Sequence, residues 1–308
     1  MRVNLDEATP ECETVIALGT FDGLHLGHRL LLGRARALAK EEDLKSVALT
    51  FPKPPRNYLG RGKRLILPPE LKLKLLEKEV ELVVVADFLK LQPLAPEEFA
   101  HILKDRLRAA IVVVGEDYRF GRERRGDVTL LRKLGRDLGF RVEALAKLQL
   151  DGRPVSSTAV REVIAAGEVE EARRFLGYPP LLRGPVIRGE GRGRELGFPT
   201  ANLAIDEESV TPEEGVFIAS VKLQGELKQG LLYIGRRPTF AGEGRSFEVY
   251  ILDSAGELYG EELEVQLLKR LRGDRRFAEP RALQRQIRQD VQVAREFFAV
   301  ERGRKLGR

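Results

Sequence analysis

Over the first half of this chain, apolar runs of strand length alternate with helix-like stretches, and this alternation constrains the fold more than any other feature. The apolar runs are Thr14–Leu18, Ser46–Phe51, Leu82–Ala86, Ala110–Gly115 and Phe140–Ala146. Stretches with apolar residues three or four positions apart are Gly27–Glu41, Pro69–Glu77, Pro96–Leu107, Val128–Asp137, Thr158–Ala166 and Glu168–Leu176. Such an alternation predicts an α/β domain, in which helices cover both faces of a parallel sheet.

The alternation ends at Gly177-Tyr178-Pro179-Pro180, a turn-forming sequence that marks a domain boundary. We therefore predict one domain over residues 1–178 and a second over residues 183–308. Short β-rich segments follow, separated by turns such as Gln224-Gly225 and Ala255-Gly256; they are Gly184–Arg188, Val216–Leu223, Leu227–Ile234, Phe247–Leu252 and Leu263–Leu268. Strands at this spacing predict an antiparallel β-barrel or sandwich.

A long helix, Pro280–Phe298, is the last predicted element. One stripe along it is apolar and consists of Leu283, Ile287, Val291, Ala294 and Phe298. Because an amphipathic helix buries its apolar stripe against a neighbouring core, we expect this helix to pack on the barrel. The residues after it, Glu301–Arg308, are mostly charged, and we expect them to form a frayed tail.

Composition narrows the class of protein. The 308 residues exceed one typical domain, and the single cysteine, Cys12, excludes a disulfide framework and a cysteine-based metal site. No apolar run reaches membrane-spanning length and no secretory signal is present, so we expect a cytoplasmic protein that does not contact a membrane. The net charge of +6 is spread along the chain, which favours anionic ligands such as nucleotides over nucleic-acid binding. Composition fixes no oligomeric state.

The segment Gly19–His28 contains two of the three histidines, His25 and His28, among glycines. It follows a predicted strand and precedes a predicted helix, so its backbone N–H groups and the helix dipole favour an anion. Glycines such as Gly19 and Gly27 let the backbone approach a phosphate, and imidazoles supply donors where charge develops. The alternative is a tight turn with two surface histidines. The strand–glycine–helix context favours phosphate binding.

Two more segments of the first domain can converge on a nucleotide. The loop Val113–Gly121, continuing to Gly126-Asp127, leaves a strand and is rich in Gly, Arg and aromatic residues. Taken alone, it is equally well explained as a charged surface loop. The second is Ser156–Arg161, where hydroxyls and N–H groups at a helix start could bind a triphosphate. Taken alone, it is explained by helix capping.

In the second domain, a glycine-rich segment precedes Phe198-Pro199-Thr200-Ala201-Asn202. Its glycines suit a loop that folds over phosphates, although an arginine-rich turn would also explain them. Thr200 and Asn202 are two residues apart, so both face the same way in an extended segment. Their neutral oxygens could hold Mg²⁺ that keeps waters and substrate phosphates as its other ligands.

Glu248 is an acidic residue within the apolar β-segment Phe247-Glu248-Val249-Tyr250. It is either a residue on the solvent face of the strand or a buried catalytic base. The sequence pattern by itself favours the solvent-face interpretation.

Both halves of the chain resemble a known family, the bacterial bifunctional riboflavin kinase/FAD synthetases, in the expected order. The first half is similar to their FMN adenylyltransferase module, a Rossmann-like member of the HxGH nucleotidyltransferases, at Gly19–His28, Gly115–Gly121 with Gly126-Asp127, and Ser156–Arg161. The second half is similar to their riboflavin kinase barrel at Gly193-Arg194 through Asn202, Gly215-Val216-Phe217, Ile234-Gly235, Pro238-Thr239-Phe240, Glu248, and Leu258-Tyr259-Gly260. The resemblance implies phosphorylation of riboflavin by ATP to FMN, then adenylylation of FMN by ATP to FAD and pyrophosphate.

The resemblance also implies roles for individual residues. In the kinase, Glu248 would accept the proton of the attacking hydroxyl, and Thr200 and Asn202 would hold Mg²⁺. In the adenylyltransferase, His28 and His25 would stabilise charge at the reacting phosphates. The implied ATP-binding residues are Gly19, Phe21, Gly27, Asp117, Ser156, Ser157, Thr158 and Arg161 in the first domain, and Gly189, Gly191, Gly193, Arg194 and Gly197 in the second. The implied flavin-binding residues are Phe51, Phe198 and Arg272.

Three positions depart from the family pattern: Pro54 replaces a histidine, Ala159 an arginine, and Tyr250 a histidine. The first departure keeps open a kinase whose nucleotidyltransferase half is weakened or takes another phosphate monoester. A second alternative is a flavin-sensing regulator that binds FMN and ATP without turnover. The residues suited to catalysis, Glu248 and His28 among them, argue against it.

Overall fold

The computed structural model describes residues 1–60, 62–189, 191–239, 242–253 and 258–306. Three sequence features lie outside the described residues: Glu190 of the glycine-rich segment, Phe240, and the predicted turn at Ala255-Gly256. The chain packs into two compact units, Met1–Val160 and Arg161–Arg308. Residues 161–178 therefore pack with the second unit. The predicted domain boundary at residue 178 stays a prediction.

A six-stranded sheet forms the first unit. Its strands are β1 (Arg2–Asn4), β2 (Thr14–Leu18), β3 (Lys45–Thr50), β4 (Leu82–Val85), β5 (Ala109–Gly115) and β6 (Arg141–Leu145). They lie in the order β1-β4-β3-β2-β5-β6, and every neighbouring pair is parallel. The predicted parallel sheet is confirmed, and β1 is a strand that the apolar pattern missed.

Helices cover both faces of this sheet. They are α1 (Leu26–Glu41), α2 (Pro55–Tyr58), α3 (Pro69–Leu76), α4 (Phe88–Leu91), α5 (Pro96–His101), which continues into a π-helical turn (Ile102–Arg106), and α6 (Val128–Leu138). Successive residues of β2 point to opposite faces, so Val15 and Ala17 join one buried cluster, and Ile16 and Leu18 join the other. Each face therefore needs its own layer of helices.

The chain then forms a hairpin, β7 (Gln149–Leu150) and β8 (Arg153–Pro154), and two helices, α7 (Ser157–Ala165) and α8 (Val169–Leu176). Helix α7 begins in the first unit and ends in the second. Helix α8 belongs to the second unit, where Val169 joins the apolar cluster inside the barrel.

The strands of the second unit form a closed barrel. Of the two predicted architectures, barrel and sandwich, the barrel is confirmed. Its elements are β9 (Leu181–Ile187), α9 (Arg192–Glu195), β10 (Ala201–Leu203), β11 (Gly215–Leu223), β12 (Glu226–Thr239), β13 (Gly242–Ile251) and β14 (Glu262–Gly273). The strands follow the order β10-β13-β12-β11-β14-β9 around the barrel, and the pairs are antiparallel. Closure leaves no unpaired sheet edge.

The last helix, α10 (Pro280–Leu306), packs on the outside of the barrel. Ala294 and Phe298 are buried there against Val216 and Ile218 of β11, which confirms the packing predicted for the apolar stripe. The expected frayed tail is wrong over residues 301–306, because the helix continues to Leu306. Each residue added to an established helix gains a hydrogen bond without a new nucleation cost.

The described residues include no helix with the length and apolarity needed to cross a membrane. Cys12 is exposed and is not in a disulfide.

Candidate active sites

The turn Gly19–His28 lies at the point where the chain changes direction across the first sheet. It leaves β2, a central strand with β3 on one side and β5 on the other. The chain extends first to β3 and β4, and returns to the opposite side with β5. Ligands of parallel sheets bind at such switch points, beyond the carboxyl ends of the strands.

Close packing shapes the start of this turn. Phe21 has φ 50° and is fully buried, and its ring folds back over Gly19. A Cβ at Gly19 would lie 2.9 Å from the Phe21 ring, so only glycine fits there. The carboxylate of the buried Asp22 accepts a hydrogen bond from the Ile66 amide at 3.2 Å, and its carbonyl accepts one from the Ser157 hydroxyl at 2.9 Å. These bonds hold the turn in place and bring the start of α7 to it.

The two histidines stack on each other at the start of α1. Their ring centroids are 3.6 Å apart and the planes differ by 16°. The Nδ1 atom of His25 accepts a hydrogen bond from the backbone N–H of His28 at 3.3 Å, so His25 is the N-cap of the helix. A neutral His25 ring therefore carries its proton on Nε2. The arrangement places two imidazoles and a helix N-terminus at one point, which suits an anion.

A cavity of about 250 Å³ opens in front of these histidines. Of the predicted nucleotide-binding residues, those that line it are Gly19, Phe21, His25, Gly27, His28, Asp117, Ser156 and Ser157. Three segments distant in sequence thus meet at one site, as the parallel-sheet interpretation requires. The predicted Thr158 is exposed on α7 and does not line this cavity, and Arg161 begins the second unit on the same helix.

The sequence reasoning missed Lys147, which also lines the cavity. Its ammonium lies 2.8 Å from the Asp117 carboxylate, and the hydrogen bond and charge of Asp117 raise the pKa of Lys147. Lys147 thus places an ammonium group, held by Asp117, in a cavity suited to phosphates. No glycine or histidine motif marked this lysine, which lies just beyond β6.

A larger, mainly apolar pocket of about 870 Å³ adjoins the first and shares Leu18, Gly19, Asp117 and Tyr118 with it. The predicted flavin residue Phe51 lines it, together with Pro54. The Phe51 ring contacts that of Phe88 edge to face, with centroids 5.5 Å apart. Burial raises the pKa of the Tyr118 phenol, so this side chain stays neutral. The size and apolar lining suit a flat aromatic ligand next to the nucleotide cavity.

Glu248 lies on the outer face of the barrel. Its neighbours on β13, Phe247 and Val249, point into the apolar interior, so alternation directs Glu248 outward. Its side chain is half-buried, not fully solvated. The Thr200 hydroxyl donates a hydrogen bond to Glu248 Oε2 at 3.2 Å, and Asn202 pairs with Glu248 between β10 and β13. The structure therefore brings the three predicted residues together.

The glycine-rich segment runs beside this cluster. A Cβ at Gly189 would lie 2.0 Å from the Asn202 amide, so the backbone approaches the cluster at a distance that only glycine allows. The segment includes the short helix α9, with Gly193 half-buried and Arg194 exposed, and its Leu196 carbonyl accepts a hydrogen bond from Gln284 of α10 at 3.0 Å. The predicted Gly191 and Gly197 have φ values of 76° and 83°.

The oxygens of Thr200, Asn202 and Glu248 are hard donors of the kind that Mg²⁺ prefers, so the residues present fit a divalent cation delivered with ATP. Within the described ranges, no group of three or more His, Cys, Asp or Glu residues is placed to hold a metal ion.

Two flavin-binding residues are predicted in the barrel. One of them contacts an aromatic side chain, and the other forms an ion pair. Phe198 contacts Tyr250 edge to face, with centroids 5.6 Å apart. The guanidinium of Arg272 donates to Asp290 of α10 at 2.8–3.2 Å, and Asp290 is 4% exposed. Arg272 thus fastens the last helix to the barrel.

Sequence reasoning also missed Tyr233. It pairs with Glu248 across β12 and β13 and donates a hydrogen bond to Asp274 at 3.1 Å. Burial and the two nearby carboxylates raise the pKa of Tyr233 to about 12.

These features define a class: an enzyme with two separate sites for nucleotides, a nucleotidyltransferase-type turn in an α/β unit and a kinase-type cluster on a β-barrel. Residues 7–159 match the family model described as FAD synthetase, and residues 176–298 match the one described as riboflavin kinase. The chain belongs to the family of bifunctional riboflavin kinase/FMN adenylyltransferases.

Relatives of that description span nearly the whole chain. One from Listeria monocytogenes is 36% identical over 303 residues, with 96% of each chain covered. One from Pseudomonas fluorescens is 38% identical over 290 residues, covering 92% of this chain and 93% of the relative. A crystal structure described as a macrolide-efflux protein from Streptococcus pneumoniae has a TM-score of 0.88 and 31% identity, covering 96% of this chain and 98% of that one.

Proposed function

We propose that the two sites divide the family's reactions between them, with the residues described above in named roles. As a member of its family, the chain phosphorylates riboflavin with ATP and adenylylates the resulting FMN with a second ATP. The barrel carries the first reaction and the α/β unit the second. The supporting observation is that Thr200, Asn202 and Glu248 meet on the barrel, while His25, His28 and two further segments meet at the sheet.

In the kinase step, Glu248 accepts the proton of the riboflavin 5′-hydroxyl as that oxygen attacks the γ-phosphorus. The new oxygen–phosphorus bond forms while the bond to the ADP oxygen breaks. Thr200 and Asn202 would hold the Mg²⁺ that accompanies ATP, and Gly189 with residues 191–197 would cover the phosphates. Phosphoryl transfer needs positioning and charge neutralisation more than covalent chemistry, and the hard oxygens on the barrel suit that task.

In the adenylyl step, an FMN phosphate oxygen attacks the α-phosphorus of ATP and pyrophosphate leaves. His28 and His25 stabilise the charge at the α-phosphate and on the departing pyrophosphate. Asp117, Ser156 and Ser157 hold the nucleotide in the cavity they line, and Thr158 and Arg161 extend this role along α7. The flavin ring occupies the adjoining apolar pocket beside Phe51.

On the barrel, the flavin is bound beside Phe198 and within reach of Arg272. Arg194 and the glycines of the segment 189–197 bind ATP phosphates. The protein acts in the cytoplasm. Its dispersed charge favours nucleotides over nucleic acid as ligands.

A time course with riboflavin, ATP and Mg²⁺ tests the function, with FMN and FAD separated by chromatography. We expect FMN to rise and then to decline as FAD forms. Accumulation of FMN alone would contradict efficient adenylyl transfer and point to Pro54, which lines the flavin-side pocket. No turnover at all would favour the flavin-sensing regulator.

A further inference from the structure

Lys72 of α3 is buried, with 2% of its surface exposed. Its ammonium donates to three backbone carbonyls: that of Thr20 at 3.1 Å, that of Pro52 at 3.0 Å, and that of Phe51. An ammonium has three donors, so all of them are used. A charge is tolerated in an interior when its hydrogen-bonding groups are satisfied in this way.

The three carbonyls belong to two segments of the adenylyltransferase site. Thr20 follows Gly19 in the histidine turn, and Gly19 lines the nucleotide cavity. Phe51 and Pro52 directly follow β3, and Phe51 lines the apolar pocket. The Thr50 hydroxyl also donates to the Thr20 carbonyl, at 3.3 Å, and so adds a second link between the same two segments. Lys72 therefore lies where the nucleotide-side turn and the flavin-side segment are joined.

We propose that Lys72 is a positioning residue for adenylyl transfer, whose ammonium fixes the nucleotide-side turn against the flavin-side segment so that the FMN phosphate meets the α-phosphorus. This inference rests on the proposed adenylyl transfer in the α/β unit. A displacement of about 1 Å between reacting groups lowers a rate about 10²-fold. The lysine touches neither reactant and acts through the two segments that do.

The charge on Lys72 titrates within an accessible range. Burial lowers its pKa to about 8, and the buried carboxylate of Asp22 opposes that shift. The other titratable or charged side chains on the turn, on the segment after β3 and on its own helix are His25, His28, Lys53, Arg56, Tyr58, Glu70 and Lys74. A neutral amine has only two N–H donors, so one of the three carbonyls loses its bond when the proton leaves.

Activity and stability should then respond to pH in opposite directions. The bridging ammonium is present below pH 8 and lost above it, so adenylyl transfer declines as the pH rises through about 8. In the unfolded chain Lys72 regains its ordinary pKa of 10.5. Between these two values the unfolded state binds more protons than the native state, so the contribution of Lys72 to stability increases with pH.

The test compares Lys72→Met, which keeps the length of the side chain but removes its donors, with Lys74→Met, an exposed lysine on the same helix. FAD formation from supplied FMN and FMN formation from riboflavin are measured on the same full-length preparations from pH 7 to pH 9.5. We expect Lys72→Met to lower kcat/KM for adenylyl transfer about 10²-fold and to remove the alkaline decline. Kinase activity and the Lys74→Met variant should stay within about twofold of wild type.

Two results with the Lys72→Met variant would overturn the inference. One is wild-type adenylyl transfer in Lys72→Met, and the other is an alkaline decline that persists in that variant. If Lys72→Met is partly unfolded, the deciding measurement is the pH dependence of adenylyl transfer by the wild-type protein. A flat profile between pH 7 and pH 9.5 would contradict the proposal. A wild-type protein that makes no FAD at any pH would instead contradict the proposed function.

Discussion

The two candidate sites use different residue types, and the difference follows from their nucleophiles. At the sheet, one buried and one half-buried imidazole and a helix N-terminus border a cavity; on the barrel, a half-buried carboxylate lies beside a hydroxyl and an amide. The proposed kinase acceptor is a neutral hydroxyl, which must lose a proton to attack. The proposed adenylyl acceptor is a phosphate that is already anionic near neutral pH. One site therefore needs a base, and the other needs groups that stabilise an anion.

The sites also differ in how the chain assembles them. His25 and His28 are neighbours on one turn, and the hydrogen bond between them spans three positions. Thr200 and Glu248 are 48 positions apart and meet because β10 pairs with β13. The contact between the two histidines is therefore local, whereas the contact between Thr200 and Glu248 depends on the register between strands. The following substitutions test both contrasts.

Glu248→Gln should have the largest effect, because it removes the base that only the kinase needs. We expect FMN formation to fall by about 10²–10⁴-fold. FAD formation from supplied FMN should remain unchanged. The matched control is Glu226→Gln, an exposed residue at the start of β12. Kinase activity that survives in Glu248→Gln would contradict the proton-acceptor role.

His28→Ala should produce the opposite pattern, with FMN accumulating and adenylyl transfer lowered about 10²–10³-fold. The measurement is the same chromatographic time course. His101→Ala serves as the control because His101 is exposed on α5, where it contacts the exposed Asp105. If FAD forms at the wild-type rate, the turn is structural and the contrast between the two sites fails.

Thr200→Val removes one proposed cation ligand while keeping a β-branched side chain on the barrel. We expect kinase activity to require about tenfold more Mg²⁺ for half-saturation, since one of several ligands is lost. The Mg²⁺ dependence of adenylyl transfer should not change. An unaltered requirement in the kinase assay would remove Thr200 from the metal site.

Asp290→Asn should have the smallest effect on activity and a measurable effect on stability. It leaves the Arg272 guanidinium without its buried counter-charge, which costs about 1–3 kcal/mol of unfolding free energy. The exposed ion pair between Asp253 and Arg295 gives a control, because Asp253→Asn should cost less than about 1 kcal/mol. Unchanged stability would contradict the role of Arg272 in fastening α10 to the barrel, whereas a strongly raised KM for riboflavin would support its proposed place beside the flavin.

Periodicity predicted the sheet well, since each strand from β2 to β5 contains a continuous apolar run and the edge strand β6 alternates apolar with charged residues. It missed α2 and α4, which have only four residues each and therefore show no helical period. It also missed β1, whose three residues gain their place by pairing with β4. Short elements of this kind are fixed by tertiary contacts and not by their own pattern.

Functional side chains that belong to a sequence motif were predicted. Those whose position depends on backbone groups distant in sequence were missed. The histidines and Thr200 stand in recognisable segments. Lys72, in contrast, is a lysine on an amphipathic helix, where sequence reasoning expects solvent. Its burial follows from carbonyls 20 and 52 positions away, which no local pattern reveals.

Because His25 is the N-cap of α1, the effect of substituting it is difficult to assign to a single cause. Replacement by alanine would remove an imidazole and also the acceptor that starts α1, so a loss of activity would have two causes. Asparagine is a favoured capping residue and carries a side-chain oxygen near the same place. His25→Asn therefore separates the ring from the cap. In a comparison of natural or engineered variants, an asparagine at this position would preserve the architecture of the turn without its chemistry.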